Sequence, residues 1–219
     1  MAHLILDFDG TLADTGDDIT AAANRLRAHR GLPALAREEV LRHVGDGAGH
    51  LVRSILPPLE PGGAEEALAF FRARYRRHPA EATRLYPGMA KLLEALPREC
   101  VAIVTNKPED ITLTILERLG LEEAFAAVIG AGPGRPAKPD PAPLREAMAI
   151  LGARPERTAL AGAGDQDMGA ARAAGCLPLG VAWGFNGVEI RREEGAARIV
   201  ADPAELVQGW SETSERGDP

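Results

Sequence analysis

The chain has 219 residues, 45% of them apolar, with a formal net charge of -7 and two cysteines. That length suits one α/β domain carrying a moderate insertion, or two small domains, and the acidic balance gives no electrostatic basis for nucleic-acid binding. No basic stretch followed by an apolar core opens the chain, no apolar run approaches membrane-spanning length, and neither Cys100 nor Cys176 has metal or redox spacing, so a reduced, cytoplasmic protein without a membrane partner is expected.

In chain order, residues 4–6 form an apolar run that predicts a buried strand, and Asp7-Phe8-Asp9-Gly10-Thr11 follows at once. Side chains alternate along a strand, so Asp7 and Asp9 leave it on the same side, at its C-terminal tip. Two anions that close repel unless a cation is shared between them, which asks for a divalent metal such as Mg²⁺. An Asx turn at a strand end is the plain structural alternative. From residue 15 to 85 the strand signal stops. Residues 19–29, 38–44, 49–55 and 64–78 carry helical apolar spacing, with a turn-rich connection at 57–63. A helical cap over 15–85 is expected, with hinges near 12–16 and 83–87.

After position 86 the periods alternate. Strands are expected at 101–104, 126–130, 158–161, 177–181 and 199–200, and helices at 88–96, 109–119, 142–151 and 168–174. This predicts an α/β fold: a Rossmann-like parallel-sheet core from 1–14 and 86–210, interrupted by the cap, and a frayed polar tail at 211–219. Ligands of such sheets bind outside the C-terminal strand ends, where Asp7 and Asp9 lie.

Three further stations carry polar residues at strand ends or in stiff loops. The run Val101-Ala102-Ile103-Val104 ends in Thr105-Asn106-Lys107, a set of donors that is also an ordinary helix N-cap signal. Lys138 stands in Pro136-Ala137-Lys138-Pro139-Asp140-Pro141, a frame that fixes where its side chain starts. The only lysines are Lys91, Lys107 and Lys138, against 22 arginines among 25 cationic residues, so a lysine kept inside such a frame points to a specific use. The last station is Gly162-Ala163-Gly164-Asp165-Gln166-Asp167.

These segments, with Val44-Gly45-Asp46-Gly47-Ala48, Leu85-Tyr86-Pro87-Gly88-Met89 and Trp183-Gly184-Phe185-Asn186, resemble the haloacid-dehalogenase superfamily, and within it the phosphoglycolate phosphatases, over residues 4–207. The resemblance implies a Mg²⁺-dependent phosphatase of a small phosphorylated metabolite, monomeric or homodimeric. In it Asp7 is the nucleophile that forms an aspartyl-phosphate and Asp9 is the general acid/base. Thr105, Asn106 and Lys138 hold the phosphoryl oxygens, and Gly45, Asp46 and Gly47 face the substrate from the cap. A carboxylate can attack phosphorus once a cation neutralises the phosphate, and a second carboxyl can serve the leaving alkoxide and then the hydrolytic water.

The chain departs from the family pattern at its last station, where the usual metal-binding Asp falls on Ala163. Asp7, Asp9, Asp165 and Asp167 are then the expected metal set, with Asp165 swung in by its flanking glycines and Asp167 either binding the metal directly or orienting its waters. A weaker site completed by water and a largely inactive phosphate-ester or partner-binding protein are the alternatives. Asp46 stands where Asn is commoner, and Gly130-Ala131-Gly132-Pro133 lacks an Asp that often precedes Lys138. Asp9 argues against a dehalogenase. The lysine-free cap argues against a Schiff-base phosphonate hydrolase, and a sugar-phosphate mutase shares both aspartates. His43, His50, Trp183 and the arginine run 72–77 are read as packing or solvated surface.

Overall fold

The computed structural model describes residues 2–185 and 195–208; Asn186 and the polar tail lie outside them. Six parallel strands form the core sheet: β1 (His3–Leu6), β4 (Val101–Pro108), β5 (Ala127–Ala131), β6 (Thr158–Gly162), β7 (Leu177–Val181) and β8 (Arg198–Val200), in the order β5-β4-β1-β6-β7-β8. Their near-continuous apolar runs suit strands covered on both faces.

Alternation sorts the core into two layers. Leu4, Leu6, Val101, Ile103, Ala159 and Ala161 face one side, and there meet α5 (Met89–Ala95) through Leu92 and α6 (Glu109–Leu119) through Ile111 and Ile115. Ile5, Ala102, Val104 and Leu160 face the other, against Leu144 and Met148 of α7 (Ala142–Leu151) and Ala170 and Ala174 of α8 (Asp165–Ala174). Because β1 is flanked by β4 on one side and β6 on the other, the strand order reverses there, and a crevice opens at its C-terminal end.

Between the first and second core strands run α1 (Gly16–His29), α2 (Arg37–Leu41), α3 (Gly47–Ser54) and α4 (Gly63–Arg77). Each departs from its expected bounds by a few residues. A difference of kind lies at the two hinges, where β2 (Ala13–Asp14) and β3 (Arg84–Leu85) pair antiparallel. Two residues are too short a stretch to show alternation, so this ribbon left no signal in the sequence. Among the described residues no helix is long and apolar enough to cross a membrane.

Asp18, in the first turn of α1, is buried, and its carboxylate accepts from the Ala82 and Thr83 N–H groups and from Thr83 Oγ1 at 2.6 Å. One charge thus ties both legs of the insertion together. Asp18→Ala should lower the unfolding free energy by roughly 2–4 kcal/mol, because buried bonds to a charged group are lost and their donors orphaned. The midpoint of urea denaturation checks this, and an unchanged midpoint would contradict it.

Candidate active site

Asp7 extends β1 by one residue, its N–H donating to the Ala161 carbonyl at 3.0 Å. The chain then folds back on Phe8, whose carbonyl accepts from Thr11, Leu12 and Ala13, and Gly10 takes the left-handed φ of +78° that this loop requires. The result aims both aspartates at the crevice, as strand alternation predicts.

Lys138 Nζ donates to Asp7 Oδ1 at 2.8 Å, to the Val104 carbonyl at 2.7 Å and to Asp167 Oδ1 at 2.6 Å. All three ammonium protons are therefore spent on the protein. Burial opposes the Lys138 charge, but Asp167 and Asp7 outweigh it and hold its pKa above the usual value. Burial pushes Asp7 up to about 6 in spite of the Lys138 charge beside it.

Asp9 is held by a second buried lysine. Its Oδ1 accepts from Lys107 Nζ at 2.9 Å and from Thr15 Oγ1 at 2.6 Å. Lys107 also donates to Tyr75 Oη of α4 at 2.6 Å, and its ammonium lies 4.3 Å from the Tyr75 ring centroid. Burial pulls the Lys107 pKa down against the attraction of Asp9, and burial with Asp9 drives Tyr75 well up. Sequence reasoning gave neither residue a role. The scarcity of lysine marked Lys107, whereas Tyr75 reaches Lys107 only through packing of the insertion on the core.

Asn106 is a fastener. Its Nδ2 donates to the Gly45 and Lys138 carbonyls at 3.0 and 2.9 Å, and its Oδ1 accepts from the Lys138 N–H at 2.8 Å. Thr105 Oγ1 accepts from the Lys107 N–H at 3.2 Å, which leaves its hydroxyl proton to donate. A cavity of about 50 Å³ is bounded by Asp7, Asp9, Thr105, Asn106 and Lys107 on the core and by Gly45, Gly47, Leu51, Phe71 and Tyr75 opposite. Asp46 does not line it. The positive φ values at Gly45 and Gly47 present backbone to the core, and the exposed Asp46 carboxylate lies 3.9 Å from His50 Nε2 instead. Trp183 donates from Nε1 to the Thr11 carbonyl, which gives it a structural use in holding the loop after β1.

The last station differs from its expected form. Asp165 is exposed as the first residue of α8, which begins three residues earlier than the sequence suggested, and it lines neither cavity beside Asp7 and Asp9. A residue fixed in a helical turn lacks the loop freedom assumed for it. Asp167 is fully buried, with Oδ1 on Lys138 and Oδ2 accepting from the Gly164 N–H at 3.0 Å, so it supports the lysine rather than facing the cavity. Among the described residues no three His, Cys, Asp or Glu side chains converge to hold a metal. A second cavity of about 10 Å³, the room of one water, does lie between Asp7, Asp9, Ala163 and Gln166. Two carboxylates beside a space of that size are hard oxygen donors suited to Mg²⁺, which commonly takes one or two carboxylates and completes its shell with phosphate and water.

A family model of haloacid dehalogenase-like hydrolases matches residues 4–181. The chain is 38% identical to the phosphoglycolate phosphatase of Chromobacterium violaceum over 187 residues, covering 82% of this chain and 84% of that protein. It is 34% identical to the phosphoglycolate phosphatase of Pseudomonas syringae pv. syringae over 215 residues, or 94% and 78% of the two chains. The crystal structure of a predicted phosphoglycolate phosphatase from Haemophilus somnus matches with a TM-score of 0.87 at 26% identity, covering 95% of this chain and 97% of that one.

Proposed function

The chain belongs to the haloacid dehalogenase-like hydrolase family and is a phosphatase of the phosphoglycolate phosphatase type, and we propose that it hydrolyses 2-phosphoglycolate or a close analogue through an aspartyl-phosphate on Asp7. The observation that carries this reading is the pair of lysine-held aspartates facing one small cavity: Asp7 on Lys138 and Asp9 on Lys107. Mg²⁺, held by Asp7 and Asp9, would neutralise the phosphoryl charge that otherwise repels the nucleophile.

Asp7 attacks phosphorus with its carboxylate fixed by Lys138, so little orientation is left to find at the moment of reaction. Thr105, with its hydroxyl proton unspent, donates to a phosphoryl oxygen, where charge builds up in the transition state. Asp9 gives its proton to the departing alkoxide and then, as a carboxylate, takes one from the water that cleaves the aspartyl-phosphate. Lys107 and Thr15 hold Asp9 in the geometry of that second half.

The leaving group meets the apolar wall of Leu51 and Phe71 and one cation, Lys107, the only Lys or Arg lining the larger cavity among the described residues. A small leaving group with its own carboxylate, such as glycolate, suits that lining. Asp46, turned outward, puts no opposing charge there. The free cysteines Cys100 and Cys176 accord with a cytoplasmic setting. Phosphate release from 2-phosphoglycolate, measured across a Mg²⁺ titration, should be saturable in both substrate and metal. No release at any Mg²⁺ concentration would overturn the reading.

A further inference from the structure

Gln166 is only 6% exposed, yet its amide makes no hydrogen bond among the described residues. It lies in the second turn-forming position of α8, pressed between the backbone of Gly164 and that of Gly45 across the crevice. A Cβ placed on Gly45 would stand 2.6 Å from Gln166 Nε2. The side chain lines the smaller cavity together with Asp7, Asp9 and Ala163. Its surroundings therefore fix where the amide sits, and the amide, with no protein partner among the described residues, is left to face that small cavity.

What the site lacks is equally specific. Two carboxylates face a space the size of one water, and the third acidic position is taken by a methyl group, while Asp165 is exposed and Asp167 is consumed by Lys138 and Gly164. An amide oxygen is a hard, neutral donor of the kind divalent cations accept. We propose that Gln166 Oε1 is the third protein oxygen of the divalent-cation site, standing in for the carboxylate absent at Ala163. This rests on the metal-dependent reading above. Substituting an amide for a carboxylate leaves the protein's contribution at two negative charges, so the chain binds the cation less tightly and leans more on the substrate's phosphate to complete the shell.

The test needs no turnover: Mn²⁺ alone is titrated into the protein and free Mn²⁺ is read by electron paramagnetic resonance, with Mg²⁺ as competitor. Wild type should bind Mn²⁺, Gln166→Ala should weaken it roughly tenfold, and Gln166→Glu, which adds a charge, should tighten it. Ala163→Asp placed in the Gln166→Ala background should restore binding. If wild type binds Mn²⁺ and Asp7→Asn abolishes it, but Gln166→Ala and Gln166→Glu both leave the dissociation constant unchanged, the Gln166 assignment is wrong while the metal reading stands. No Mn²⁺ binding by wild type overturns both.

Discussion

Asp7→Asn should abolish phosphate release while leaving the fold intact. Asn has the shape of Asp but no anionic oxygen, so it cannot form the acyl-phosphate bond. The loss should be on the order of 10⁴-fold or more, the scale seen when a covalent nucleophile is removed. The structure says why stability should survive. Burial already disfavours the Asp7 charge, pushing its pKa up to about 6, so a neutral side chain relieves a cost. Lys138 would lose one ion pair, not an acceptor, since the Asn amide oxygen can still accept, and it keeps Asp167 and the Val104 carbonyl. Phosphate release and a thermal melt on the same sample check both halves. Activity within tenfold of wild type, from a protein that melts normally, would contradict the nucleophile assignment.

The parts legible in the sequence were those set by local periodicity. Alternation over a four-residue strand was enough to put Asp7 and Asp9 on one side of a tip, and the apolar runs marked six strands whose spatial order the sequence did not give. Lys138 was visible because it is one of three lysines and stands between prolines. What stayed hidden depends on contacts between distant segments. Lys107 meets Asp9 across 98 residues and Tyr75 across 32, and Asp18 meets Thr83 across 65. No spacing rule reports such pairs. Asp165 and Asp46 show the converse error. Both are carboxylates next to glycines; the family resemblance put Asp46 toward the substrate, and the position left open at Ala163 drew Asp165 toward the metal. Backbone geometry decides otherwise, since helix α8 starts at Asp165 and the two positive-φ glycines turn the Asp46 side chain away. Gln166 was passed over because an amide in an acidic motif carries no charge signal; only its place in the fold, lining the small cavity beside Asp7 and Asp9, marks it.

Lys138→Met should be the most damaging single change to the site, because it removes one cation from between two buried carboxylates. Asp7 and Asp167 both bond to its ammonium, and the Lys138 side chain is 1% exposed. Without it, two anions share a desolvated space with no intervening charge, which costs about 3–5 kcal/mol when one partner of a buried ion pair is deleted. Activity should vanish as well, since the nucleophile loses its fixed orientation and its neighbour's positive field. Loss of activity alone would not separate these effects. The double variant Lys138→Met with Asp167→Asn does so, because among the described residues the Asp167 side chain bonds only to Lys138 and to the Gly164 N–H, and the proposed reaction assigns it no step. Removing the second orphaned charge should recover most of the unfolding free energy in urea while phosphate release stays lost. A stable but inactive double variant would mean that Asp167 is present to keep Lys138 charged and placed, and that Lys138 is present to serve Asp7. If the single variant instead unfolds at the wild-type urea concentration, the two carboxylates do not depend on that ammonium. The charge balance assigned to the site would then be wrong.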